Sequence, residues 1–274
     1  MKIVNRVIVT GPMRSGTTMV ADNILTELLH SRPKPEITPL SDLLAVTTRW
    51  RSGYEPKRFA AWLRDDSLSY DLEDSSLVKL MPPESNGSWS VGKDPELVRY
   101  PASLLRLVER NGIRLLLCMR DPLDVMASAL EVQNRQRYEH TPRFYLERVW
   151  ESYEGLLELL SGIVNPRQIH VVRYEDWVTD PSSGVQAVAD WLEVPFSGVG
   201  NGYATSADPS DPYSTLLYGK SPTPMMIGSF RRRLPRHKWS YLARVFCGLR
   251  AKLSYPEIEF DKRLAALGAL TFRK

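Results

Sequence analysis

Cysteine is nearly absent. In 274 residues only Cys118 and Cys247 occur, so neither a disulfide framework nor a thiolate zinc site is supported. Cys118 lies in the apolar run 115–119, where a free thiol packs as a small hydrophobe. Histidine is scarce too: His30, His140, His170 and His237 show no ligand spacing, which argues against a bound metal, and His170 falls in a strand pattern where it packs or hydrogen-bonds. No apolar run approaches the roughly 18 residues of a membrane-spanning helix. The N-terminus enters a strand pattern almost at once, leaving no room for a signal peptide, so the expectation is a soluble protein of a reducing, cytoplasmic compartment, or one stripped of its anchor. Charge of one sign is also lacking. The 36 Lys and Arg stand against 32 Asp and Glu, a net +4, which argues for small anionic ligands and no nucleic acid. Repeats are missing. A hydrophobic content of 43% is enough for a single domain over 1–274, with mobile or acceptor-binding loops expected near 36–88 and 198–224.

The most informative stretch is residues 3–29. A β-branched run (Val4, Val7, Ile8, Val9, Thr10) is followed by Gly11-Pro-Met-Arg-Ser-Gly-Thr-Thr18, and then by apolar residues at helical spacing (Met19, Val20, Ile24, Leu25, Leu28). Strand, glycine-bounded turn and helix start make an anion site suited to phosphate, since the first helical N–H groups and the positive end of the helix dipole face the turn. The spacing Gly11-x4-Gly16 matches the P-loop of nucleoside triphosphatases, but Thr17 stands where that motif requires Lys. Arg14, inside the loop, supplies the positive charge from another place.

Further along, short apolar runs over 89–93, 113–119 and 168–173 read as strands, each followed by a helix pattern. Residues 41–50 and 56–64 read as helices, and the acidic, polar 65–76 as a solvated excursion. Strands alternating with helices imply an α/β fold with a P-loop-type, mostly parallel sheet flanked by helices on both faces. The strand ends carry Arg14, Lys93-Asp94, Arg120 and Tyr174-Glu175; parallel alignment gathers them on one rim, where such sheets bind ligands.

These motifs, in this order, resemble the sulfotransferases that use 3′-phosphoadenylyl sulfate (PAPS), and within them the tyrosylprotein sulfotransferases and their carbohydrate-acting relatives. The loop 12–18 is similar to the family's 5′-phosphosulfate loop in its Arg-containing form, which implies Arg14, Ser15, Gly16, Thr17 and Thr18 as donor contacts. Arg120 and Ser128 match the Arg-x7-Ser of the 3′-phosphate site. Lys93-Asp94-Pro95 resembles the family's KDP turn, and Arg173-Tyr174-Glu175-Asp176 its RYE segment, with Tyr174 beside the nucleotide. Ser221 resembles the late Ser that contacts the bridging oxygen, although its spacing to Gly228 is shorter here. The segment 225–229 followed by Arg231-Arg232-Arg233 resembles the closing segment, and points to Arg232.

The implied chemistry is in-line transfer of a sulfuryl group to an acceptor hydroxyl, with PAPS as donor and no metal. Arg14 and Lys93 carry charge stabilisation, and Ser221 lies at the leaving oxygen. Proton removal has two candidates: Glu36, which lies 22 residues beyond Arg14 and before Pro39, and Asp94 as fallback. The family's Arg four residues after the phosphate-site Ser is absent, Val132 standing there; either Arg135 substitutes or binding on the acceptor side differs. The acceptor, an acidic peptide carrying tyrosine or an anionic glycan, stays open, as does a homodimer. The rival readings are a P-loop kinase or triphosphatase, which Thr17 and the lack of an evident Mg2+-holding Asp disfavour, and a nucleotide-binding module without catalysis.

Overall fold

The computed structural model describes residues 5–29, 36–51, 66–81, 89–136, 140–162, 165, 167–196 and 223–272. Strands β1 (Arg6–Thr10), β2 (Ser90–Lys93), β3 (Arg114–Met119) and β4 (Ile169–Arg173) form a parallel sheet in the order β2-β1-β3-β4. All four correspond to the apolar runs of the sequence. The two central strands are buried on both faces, as parallel sheets require, and the pleat divides their side chains. Val7, Val9, Leu116 and Cys118 face one core, Ile8, Leu115, Leu117 and Met119 the other.

The first core is closed by the helical stretch 17–29 and by α8 (Tyr174–Thr179) and α9 (Pro181–Leu192). The second is larger. It collects α3 (Thr38–Arg51), α5 (Pro101–Asn111), α6 (Pro122–Gln136), α7 (Pro142–Ser161) and α11 (Arg236–Lys252). The stretch after the loop is not one α-helix: α1 (Thr17–Met19) passes into a π-helical segment, Val20–Leu25, and then into α2 (Thr26–Leu29). Its buried apolar residues fall in pairs, 20/21, 24/25 and 28/29. A repeat of four is longer than the α-helical 3.6 and fits a widened turn.

Part of the expected loop region 36–88 is helical. Besides α3, the stretch read as a solvated excursion forms α4 (Asp66–Leu80). The expectation failed because the inward position is a charged one: Glu73 is fully buried, and its carboxylate accepts from Thr47 and pairs with Arg106 and, at 2.9 Å, with Arg51. A buried acid with three partners reads in sequence as a solvated one. The helix expected over 56–64 and the loop 198–222 lie outside the described residues.

Candidate active site

The loop joins β1 to α1 with three residues in the left-handed region: Gly11 (φ 148°), Arg14 (φ 66°) and Gly16 (φ 103°). Gly11 has no alternative, since a Cβ there would lie 2.2 Å from the Cys118 carbonyl oxygen on β3. Ser15 N–H donates to Pro12 carbonyl at 3.0 Å, closing a turn with Arg14 at the position where φ is positive. That bond consumes an amide expected to face the anion. Gly16, Thr17 and Thr18 stand at the helix start, where backbone N–H groups have no partner within the helix.

At the end of β2, Lys93 is drawn to the loop. Its Nζ donates to Thr18 Oγ1 at 3.1 Å and pairs with Glu36 Oε1 at 3.4 Å. Glu36 reaches that place because its neighbour Ile37, buried, donates its N–H to the Lys93 carbonyl at 3.0 Å. The Lys93 side chain is mostly shielded, that of Glu36 about half exposed. A second acid looks into the same space. Asp22, in the π-helical segment, has its pKa raised by burial and lowered again by Lys93, with Glu36 opposing. Asp94 is turned the other way: it is 1% exposed, and its Oδ1 accepts Glu96 N–H at 2.8 Å, capping the 3-10 turn Pro95–Arg99. Burial raises its pKa to about 6.

Beyond β3, Arg120 lies over the Tyr174 ring, 4.0 Å from the centroid, and donates to the carbonyls of Arg14 (3.4 Å) and Met226 (3.1 Å). Arg14 Nε in turn donates to Ser128 Oγ at 3.2 Å. The seven residues between Arg120 and Ser128 therefore do not separate them from one site: Arg14 bridges the strand end and α6. Tyr174 is buried beneath Arg120 and against Gly16, where an added Cβ would come within 3.3 Å of its ring. Ser15 Oγ and Arg120 Nε are buried without a hydrogen-bond partner among the described residues. Unpaired donors of this kind, in a loop of inward amides, fit a multiply charged anion.

Asp121 is the acid nearest to the place a magnesium-holding Asp would take. It is engaged elsewhere, since Arg250 Nε and Nη2 donate to its two oxygens at 3.1 and 2.9 Å, and Leu123 N–H adds 2.9 Å. Glu175 likewise serves the scaffold, accepting Asp121 N–H at 2.8 Å and the Tyr255 hydroxyl at 3.2 Å. Among the described residues no group of three or more His, Cys, Asp or Glu is placed to hold a metal ion.

Arg14, Ser15, Gly16, Thr17, Thr18, Glu36, Lys93, Arg120, Ser128 and Tyr174 thus fall on the rim at the carboxyl ends of β1 to β4. Arg232 does not point into it. It is exposed, and its guanidinium turns back to the Met225 carbonyl. Ser221 and the side chain of Arg135 lie outside the described residues. Two residues were missed in sequence, Asp22 and Asp124. Asp22 lies four residues after Thr18 on one helix face, which is a usable signal; Asp124 has no such local mark, since its partners are more than 100 residues away.

A family model described as Sulfotransferase family matches residues 6–198. Comparison with curated proteins finds no match. Among solved structures, the sulfotransferase domain from the curacin biosynthetic pathway is 19% identical, with 93% of this chain and 99% of that one covered and a TM-score of 0.60. The sulfotransferase domain of the Synechococcus PCC 7002 olefin synthase gives 18%, 92% and 94%, and 0.59. Mouse sulfotransferase SULT7A1, solved with PAP, gives 12%, 100% and 90%, and 0.51. At such identities the likeness concerns the fold.

Proposed function

Because the chain belongs to the sulfotransferase family, we propose that it moves the sulfuryl group of PAPS to an acceptor hydroxyl at the rim formed by Arg14, Lys93 and Arg120. The observation that carries this reading is the Arg14 bridge: one loop residue accepts from Arg120 through its carbonyl and donates to Ser128 on α6 through its Nε, which brings two guanidinium groups to one end of the sheet. Two cations, Ser15 Oγ and Arg120 Nε left unpaired among the described residues, and the amides of 16–18 match the several charges of a bisphosphorylated nucleotide. PAP, found with the mouse neighbour, is such a nucleotide. The bound donor supplies an activated sulfuryl group with a phosphate leaving group.

The residues divide the work as follows. Arg120 and Ser128 hold a phosphate distal to the reaction, and Tyr174 keeps the Arg120 guanidinium flat. Arg14 and the loop amides neutralise the leaving oxygen, where charge develops. Lys93, held by Thr18, stabilises the transferring group, and Glu36 accepts the acceptor's proton. In the protein alone Lys93 and Glu36 are paired, so an incoming donor competes for Lys93 and releases the carboxylate. Asp94, turned into the core as a cap, is not used as the base.

The acceptor is a peptide tyrosine or a carbohydrate hydroxyl, and labelled PAPS offered with peptide and oligosaccharide panels separates the two. The P-loop kinase reading is disfavoured by Thr17 and by the engagement of Asp121 with Arg250. Binding decides the nucleotide. PAP is expected to raise the melting temperature and ATP with Mg2+ not, and Arg120→Ala or Ser128→Ala should weaken PAP more than adenosine 5′-phosphosulfate, which lacks the 3′-phosphate. Stabilisation by ATP with Mg2+ alone would overturn the reading.

A further inference from the structure

The segment 224–233 lies against the anion site with modest apolar anchorage: Met225 and Ile227 are exposed, Met226 is partly buried, and Phe230 is its fully buried apolar side chain. Its fixed point is a carboxylate. Asp124, in the first turn of α6, has no exposed surface. Its Oδ2 accepts Gly228 N–H at 2.7 Å, and its Oδ1 accepts the Ser229 hydroxyl at 3.0 Å and Phe230 N–H at 2.9 Å. Gly228 is left-handed (φ 65°), a conformation that turns neighbouring N–H groups toward one anion. A buried charge met by three donors is an anchor, since removing either side strands the other.

The anchor's place relates it to the site. Asp124 lies four residues after Arg120 and four before Ser128, so on α6 it shares a face with Ser128 one turn away. The segment it holds presents the Met226 carbonyl to Arg120 Nη2 at 3.1 Å, leaving Arg120 Nε unpaired among the described residues. A second tie runs from α6 to the segment's far end, where Glu131 pairs with Arg233. The geometry points to Asp124 as a positioning residue: through the amides of 228 and 230 and the Ser229 hydroxyl it fixes the segment that orients Arg120, and thereby sets affinity for a nucleotide phosphate that it does not itself touch. This rests on the sulfotransferase reading of the rim.

The test titrates the full chain with PAP and, separately, with adenosine 5′-phosphosulfate, and follows hydrogen exchange over 228–234. Asp124→Asn places an amide group against N–H donors; PAP affinity is expected to fall about tenfold or more, as for loss of a charge-assisted hydrogen bond, while adenosine 5′-phosphosulfate changes less than about threefold and exchange over 228–234 speeds up. Ser229→Ala, which removes one of three donors, is expected to shift PAP in the same direction by a few-fold, and Asp124→Glu to restore part of the loss. Folded Asp124→Asn protein with wild-type PAP affinity, or with equal losses for both ligands, overturns the inference. If Asp124→Asn does not fold, Ser229→Ala and Asp124→Glu are held to the same comparison, and unchanged PAP affinity in both overturns it. Wild-type protein that binds neither ligand overturns the function proposed above, an outcome distinct from a failure of Asp124 alone.

Discussion

Arg14 carries two burdens, a charge over the pocket and a left-handed backbone that a side chain rarely adopts. The conformation costs about 1 kcal/mol or more, and glycine would not incur it. Arg14→Gly should therefore be more stable than Arg14→Ala by about 1 kcal/mol in urea denaturation, while the role proposed for the guanidinium, facing the donor before and during transfer, predicts that both lose donor affinity and turnover. Equal stability of the two variants would mean that the turn relaxes. Glu36→Gln isolates the other chemical group. It keeps size and much of the contact with Lys93, so PAP binding should persist while single-turnover transfer drops by about 100-fold; near-normal transfer would remove Glu36 from the role of base.

At the scale of the element, the turn after β2 separates two adjacent charges by orientation alone. Lys93, at the strand's end, faces the pocket; Asp94 caps the 3-10 turn from inside the core. Burial lifts the Asp94 pKa from its ordinary 3.8 to about 6, so the folded chain holds this proton more tightly than the unfolded chain does. Its contribution to stability is full below pH about 4 and is lost as pH rises through about 6, a change of about 3 kcal/mol across that window. Asn caps as well as Asp and does not titrate. Asp94→Asn should therefore flatten the dependence of melting temperature on pH between 4 and 7 and leave transfer intact, checked by thermal unfolding across that range. A variant as pH-dependent as wild type would assign the titration to another acid.

Over the whole molecule, α11 and the turn after it brace the carboxyl end of the sheet. Arg250 on α11 clamps Asp121, Tyr255 reaches Glu175, and Arg173 donates to the Leu253 carbonyl at 2.7 Å. These partners lie beyond the residues matched by the family model. Arg250→Met leaves the buried Asp121 carboxylate unpaired and should cost about 3 to 5 kcal/mol, measured by chemical denaturation. The double variant with Asp121→Asn should recover part of that loss, because no charge is then stranded. Additive losses would show that the two residues act independently.

Local pattern carried much of the fold and of the site. The four strands, the glycine-bounded turn and the basic strand ends follow from short-range rules of β-branching, backbone freedom and helix starts, and these act within a few residues. The gathering of the polar strand ends on one rim was legible for the same reason, since order along the chain places them there. What the sequence could not supply is which polar groups are partnered across long separations. Glu73, in a stretch read as solvated, is enclosed by Arg51 and Arg106; Asp94, the fallback base, turns its carboxylate inward; and Asp124, which no local pattern marks, takes its donors from residues 228–230. Burial of a charge depends on donors brought from distant elements, and only the tertiary structure specifies those.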